Sequence, residues 1–175
     1  MKTFRYILRL TLTLLIITVV VAGLLGLVNF LTEDRIAENT ARKAEEAMQE
    51  VLPADSYEPV EITMDGVSAA FRAEDGYVVR ITTNGFGGAI DMMVGVDNDG
   101  AVTGISVISH SETPSLGANC VRPEWQAQFE GATGDLAVSK DGGTIDALTG
   151  ATVTSRGVTA GVNLALEYVK EVAQK

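Results

Sequence analysis

From position 10 to position 32 the chain carries no charged side chain, and most of those positions are Leu, Ile or Val. As a helix rising 1.5 Å per residue such a run is roughly 33 Å long, enough to cross the hydrocarbon core of a bilayer. Lipid satisfies no backbone polar group, so a single spanning segment has to be helical. A cleaved signal peptide has a shorter apolar stretch, about 7–15 residues, that ends at small residues. Val21-Ala22-Gly23 offers small residues, but the apolar run goes on through Leu24, Leu25, Leu27, Val28 and Leu31. A retained span is therefore expected. Lys2, Arg5 and Arg9 precede it and Glu33 and Asp34 follow it. By charge asymmetry, residues 1–9 stay cytoplasmic, residues 10–32 meet membrane lipid, and the remainder faces outward, the periplasm in a bacterium with two membranes.

Beyond position 32 the composition changes. All 23 acidic residues lie there with only 10 of the 13 basic ones, a formal charge of 10 − 23 = −13. Such a surface argues against nucleic acid or anionic lipid as partner of the soluble part. Cys120 and His110 are the single cysteine and histidine of the chain. An intrachain disulfide and a cysteine-ligated iron–sulfur cluster are thereby excluded, and no spacing of acidic residues proposes a metal site. A Cys–His catalytic pair lacks an orienting third group, so no catalytic residue is assigned.

Residues 33–53 continue as a helical stalk, with Ile36, Thr40, Ala44, Met48 and Leu52 at helical spacing and Pro53 closing the segment. Residues 76–83 and 90–96 are rich in Val, Ile and Tyr and are expected to be strands. Asn98-Asp99-Gly100 supplies a hairpin turn into a further strand over 101–109. The spacing of Val158, Val162, Ala165, Leu166, Val169 and Val172 predicts a helix over 155–173. The fold class is α+β: one transmembrane helix, then one domain over 54–175 with antiparallel strands and a C-terminal helix.

Asp146-Ala147-Leu148-Thr149-Gly150-Ala151-Thr152-Val153-Thr154-Ser155 leads into that last helix. Gly150 and Ala151 leave room for a bulky group near the backbone. Hydroxyls stand at 149, 152, 154 and 155, and the helix behind them presents free N–H groups that favour an anion. Physically the segment is either a phosphate-binding turn or a turn followed by an ordinary Ser/Thr cap.

Asp-x-x-Thr-Gly-Ala-Thr resembles the acceptor motif of covalently flavinylated FMN-binding domains. The stretches Gly85-Phe86-Gly87-Gly88-Ala89-Ile90, Val94-Gly95-Val96-Asp97, His110-Ser111-Glu112-Thr113-Pro114-Ser115-Leu116-Gly117, Trp125-Gln126-Ala127-Gln128-Phe129 and Gly157-Val158 through Asn163 follow the order found in the G subunit of Rnf (Rsx) electron-transport complexes. One departure is Ser115, where that family commonly has Gly. The resemblance implies an FMN joined by a phosphoester to Thr152, installed from FAD by a flavin transferase. Thr149, Thr154 and Ser155 are then phosphate-binding or helix-capping neighbours, and Gly150 and Ala151 give clearance. Glu112 and Thr113 either lie near the flavin or only form a turn; Leu116 and Leu148 either pack on the ring or belong to the core.

The function so implied is that of an electron carrier within a complex, not catalytic alone. That complex would couple ferredoxin/NAD electron transfer to Na⁺ or H⁺ translocation, with the other Rnf subunits as partners. Three alternatives stay open: the C subunit of a Na⁺-translocating NADH:quinone reductase, a free-standing extracellular flavin carrier, and a cofactor-free membrane-tethered scaffold.

Overall fold

The computed structural model describes residues 2–62 and 64–173. The chain divides into two compact units, one ending at Arg42 and the other beginning at Lys43.

The first unit lies within a single helix, α1 (Lys2–Val51), whose last turns belong to the second. An 18-residue window of α1 has a mean hydropathy of 2.7 and is wholly exposed, long and apolar enough to cross a membrane. Threonine hydroxyls along it are satisfied within the helix itself. Thr11 donates to the Ile7 carbonyl at 3.0 Å, Thr18 to that of Leu14 at 3.1 Å and Thr32 to that of Val28 at 2.9 Å. Such back-bonding is what a hydroxyl needs where no water is available.

The second unit is built on a five-stranded antiparallel meander in the order β1-β2-β3-β4-β5. The strands are β1 (Glu58–Pro59), β2 (Val67–Ala73), β3 (Gly76–Asn84), β4 (Ala89–Asp97) and β5 (Val102–His110). β3, β4 and β5 lie where the aliphatic runs predict them, and Gly100 takes a φ of 82° in the turn between β4 and β5. Alternation then sorts the side chains between two faces. Val79, Ile81, Ile90, Met92 and Val94 point to one face and Val78 and Met93 to the other.

The first face carries the larger core. Helix α2 (Pro123–Gln126), flanked by short 3₁₀ turns, delivers Phe129, and the C-terminal helix α3 (Thr152–Ala173) delivers Val158, Val162, Ala165, Tyr168 and Val169. α3 begins at Thr152, three residues before the start that its apolar spacing predicts. Its opening turn is polar, so the apolar stripe registers only from Val158 onward.

The second face is covered by the end of α1. Ala47, Met48, Val51 and Leu52 are buried there, so the expected stalk closes as part of the domain core. Gly95 makes this close approach possible. Gly95 and Gly104 stand opposite each other on β4 and β5, and a Cβ on Gly95 would collide with the Val51 carbonyl. Ser106 Oγ also bonds Glu50 Oε2 at 2.7 Å, fixing the helix end to the sheet.

Candidate functional site

Two tight turns face each other at one end of the sheet. In the first, Leu116 N–H donates to the Thr113 carbonyl at 3.2 Å, with Pro114 and Ser115 between them. Ser115 has φ 62°, alone among the described non-glycine residues in being positive. Proline followed by a positive φ is the pattern of a type II turn, which favours glycine at the second position. Serine there holds the same backbone path under strain of about 1–2 kcal/mol. In the second turn Ala151 N–H donates to the Leu148 carbonyl at 3.0 Å, and Gly150 supplies φ 75°. The two turns nearly touch: a Cβ on Gly150 would stand 3.1 Å from Leu116 Cδ2.

Glu112 ties these turns to the sheet. It is buried, with 6% exposure, and both carboxylate oxygens are used. Oε1 accepts from Gly87 N–H at 2.9 Å and Oε2 from Thr154 Oγ1 at 2.6 Å. Cβ atoms on Gly85 or Gly117 would run into this carboxylate. Small residues around a buried acid are thus a packing requirement, and Glu112 joins the β3–β4 loop, the chain after β5 and the first turn of α3.

The motif segment is held from behind as well. Trp125 Nε1 donates to the Asp146 carbonyl at 2.8 Å, and Asp146 N–H donates to Gln128 Oε1 at 2.6 Å. Ser155 Oγ accepts from Leu148 N–H at 2.9 Å and donates to the Ala151 carbonyl at 3.0 Å. These bonds fix the backbone from 146 to 151 and point it at the helix start.

A cleft of about 410 Å³ opens between the turns. Thr113, Leu116, Gly150, Ala151, Thr152 and Thr154 line it together with Glu112. Most of the site residues named from sequence are therefore brought together. Thr149 lies exposed outside the lining, Leu148 packs against the main core, and Ser155 is buried with its hydroxyl committed to the turn. Thr154 also turns inward to Glu112, so of the four hydroxyls in the segment Thr152 is the one half-exposed at the cleft.

Sequence reasoning missed three contributors to this cleft. Phe86, 73% exposed, projects at its edge, and Val153 lies on its rim. Lys140 donates from Nζ to Thr152 Oγ1 at 2.9 Å. An aromatic set among glycines was the available signal for Phe86; nothing in the sequence joins Lys140 to Thr152.

The cleft suits a flavin nucleotide. Its lining mixes apolar groups with a few polar ones, as cofactor clefts do. The first intrahelical bond of α3 at the cleft runs from Ser155 N–H to the Ala151 carbonyl. The N–H groups of Thr152, Val153 and Thr154 come before it and are the donors a phosphate needs.

Comparison with known proteins agrees. A model of the FMN-binding domain matches residues 85–167, and a model of the RnfG N-terminal region matches residues 1–51. The G subunit of the ion-translocating oxidoreductase complex of Methanosarcina acetivorans is 36% identical over 183 residues, covering 97% of each chain. The chain belongs to the G-subunit family of ion-translocating oxidoreductase complexes. Another relative, the G subunit of the Na⁺-translocating ferredoxin:NAD⁺ oxidoreductase complex of Acetobacterium woodii, is 33% identical over 98% of this chain and 95% of its own. The fold is shared with the C subunit of the Na⁺-translocating NADH-quinone reductase from Parabacteroides distasonis. That crystal structure superposes with a TM-score of 0.61 at 20% identity, over 82% of this chain and 96% of that one. As a G subunit, the protein is an FMN-binding, membrane-associated redox component that works within an oxidoreductase complex.

Proposed function

We propose that this G subunit holds FMN as a phosphoester on Thr152 and passes electrons between membrane partners of an Rnf-type complex, which moves Na⁺ or H⁺ as ferredoxin and NAD exchange electrons. The observation that carries this reading is the placement of Thr152 as first residue of α3, half-exposed on the cleft, with its hydroxyl turned to a lysine. A phosphate joined there would meet the N–H groups of the helix start and a cation, both favourable to its negative charge. Bound FMN supplies one- and two-electron carriage.

The chain's own residues bind and orient. Leu116, Val153 and Phe86 offer apolar surface to a ring, and Glu112 with Thr154 keeps the two turns in register. Thr149, exposed outside the cleft, is assigned no contact with the phosphate, while Leu148 and Ser155 act through the shape of the turn. The soluble unit, which begins at Lys43, lies on the outer side of the membrane, with residues 1–9 in the cytoplasm and 10–32 in lipid. A flavin transferase is the maturation partner. The fold shared with the C subunit of the quinone reductase keeps that role as the second reading, and co-purification of the full-length chain with its neighbouring subunits separates the two.

In-gel ultraviolet fluorescence after denaturing electrophoresis tests the linkage. The native-host chain is expected to fluoresce and Thr152→Ala to be dark. A dark native band from a host that flavinylates other proteins overturns the proposal.

A further inference from the structure

Lys140 sits in a short 3₁₀ turn (Ser139–Asp141) that the proposed role of Thr152 does not by itself explain. Its Nζ donates to Thr152 Oγ1 at 2.9 Å, and the side chain has no carboxylate partner among the described residues. The next residue is clamped: Arg156 on α3 grips Asp141 through two bonds, Nε to Oδ2 at 2.7 Å and a terminal nitrogen to Oδ1 at 2.6 Å. That pair neutralises Asp141, holding its carboxyl below the usual carboxylate range through the guanidinium hydrogen bond. It also anchors the turn to the first turns of the helix that bears Thr152. A lysine on a fixed turn therefore delivers an uncompensated charge to one hydroxyl.

We infer that Lys140 is the positioning residue for modification of Thr152: it orients the hydroxyl for attack and then neutralises the phosphodiester that forms. This rests on Thr152 being the acceptor. In the transfer the Thr152 Oγ–phosphorus bond forms and the phosphorus–oxygen bond joining the FMN phosphate of FAD to AMP breaks. AMP departs, and the hydroxyl proton passes to a base of the transferase. No electrons change hands. Because the ammonium donates to Oγ1, the Thr152 proton is directed away from Lys140 and toward the side from which it must be removed. The same ammonium lies beside the oxygen that becomes the ester bridge. A charge-assisted contact suits a group that turns from neutral to anionic, since it strengthens as the charge arrives.

The test uses the purified full-length apo-chain in detergent with FAD and a flavin transferase, following covalent flavin by in-gel fluorescence and intact mass. Lys140→Ala and Lys140→Gln are expected to slow incorporation by about tenfold or more, the size of one lost hydrogen bond to a charged group. Lys140→Arg is expected to restore most of the rate, with all three melting like the parent. Lys140→Ala and Lys140→Gln at the parental rate would overturn the inference. So would Lys140→Arg as slow as Lys140→Ala, because a cation would then not be what matters. Thr152→Ala, run alongside, separates the two readings: flavin still attached in that variant means the acceptor assignment has failed, whereas its loss with unaffected Lys140 variants removes only the role of Lys140.

Discussion

Cys120 illustrates how a single side chain reports on its surroundings. It is fully buried in the larger core, and burial, with the Glu112 carboxylate adding to it, pushes the thiol up to about 11. An unfolded thiol ionises near pH 8.5. Between those values the unfolded chain has lost a proton that the native one retains, so stability falls as pH rises through this window and is unaffected below it. Unfolding midpoints should therefore decline from about pH 9 to pH 11 in the parent and decline less in Cys120→Ala. A parent whose midpoint is flat across that range would contradict the assignment. The Thr-Gly-Ala-Thr pattern is local, so by resemblance the sequence could single out Thr152 as the candidate acceptor. Residue pattern without that resemblance could not rank the four hydroxyls, because Thr154 is turned inward by Glu112, forty-two residues away along the chain. Lys140 was illegible for the same reason: its partner is reached through a turn whose shape no local pattern encodes.

At the scale of elements, the docking of the α1 end depends on the absence of side chains. A Cβ on Gly95 meets the Val51 carbonyl and Thr103 Oγ1, whereas one on Gly104 lies 3.5 Å from Val51 Cα, an ordinary contact. Gly95→Ala is expected to cost about 1–3 kcal/mol through overpacking, and Gly104→Ala much less. Denaturant unfolding of the full-length chain measures both, and equal costs would show that the helix end yields freely. The long aliphatic runs made β3, β4, β5 and the body of α3 legible. β2 was not, because its stretch Val67-Ser68-Ala69-Ala70 is rich in alanine and a bulge between Val67 and Ala69 breaks the alternation. Residues 43–52 carried a helical pattern that reads equally as a stalk or as a helix lying on a sheet. The deciding feature lies far along the chain, at Gly95, where only the absence of a side chain admits the Val51 carbonyl.

For the whole molecule the dominant property is charge. Thirteen net negative charges on the part beyond position 32 disfavour adding electrons that leave a flavin anionic. The reduction potential of the bound flavin is thus expected below that of free FMN and to rise with salt as the field is screened. A redox titration at two ionic strengths checks both signs, and a potential well above free FMN would refute the first. The meander has a further consequence, one of timing. Each strand pairs with its chain neighbour, so the sheet can assemble in the order in which a ribosome delivers it. Residues 140–156, and α3 behind them, follow every strand of the sheet in chain order, and until they arrive the cleft lacks one wall. On the proposal that Thr152 carries the flavin, a cofactor that needs both walls of the cleft can seat only once the segment after the whole meander is in place.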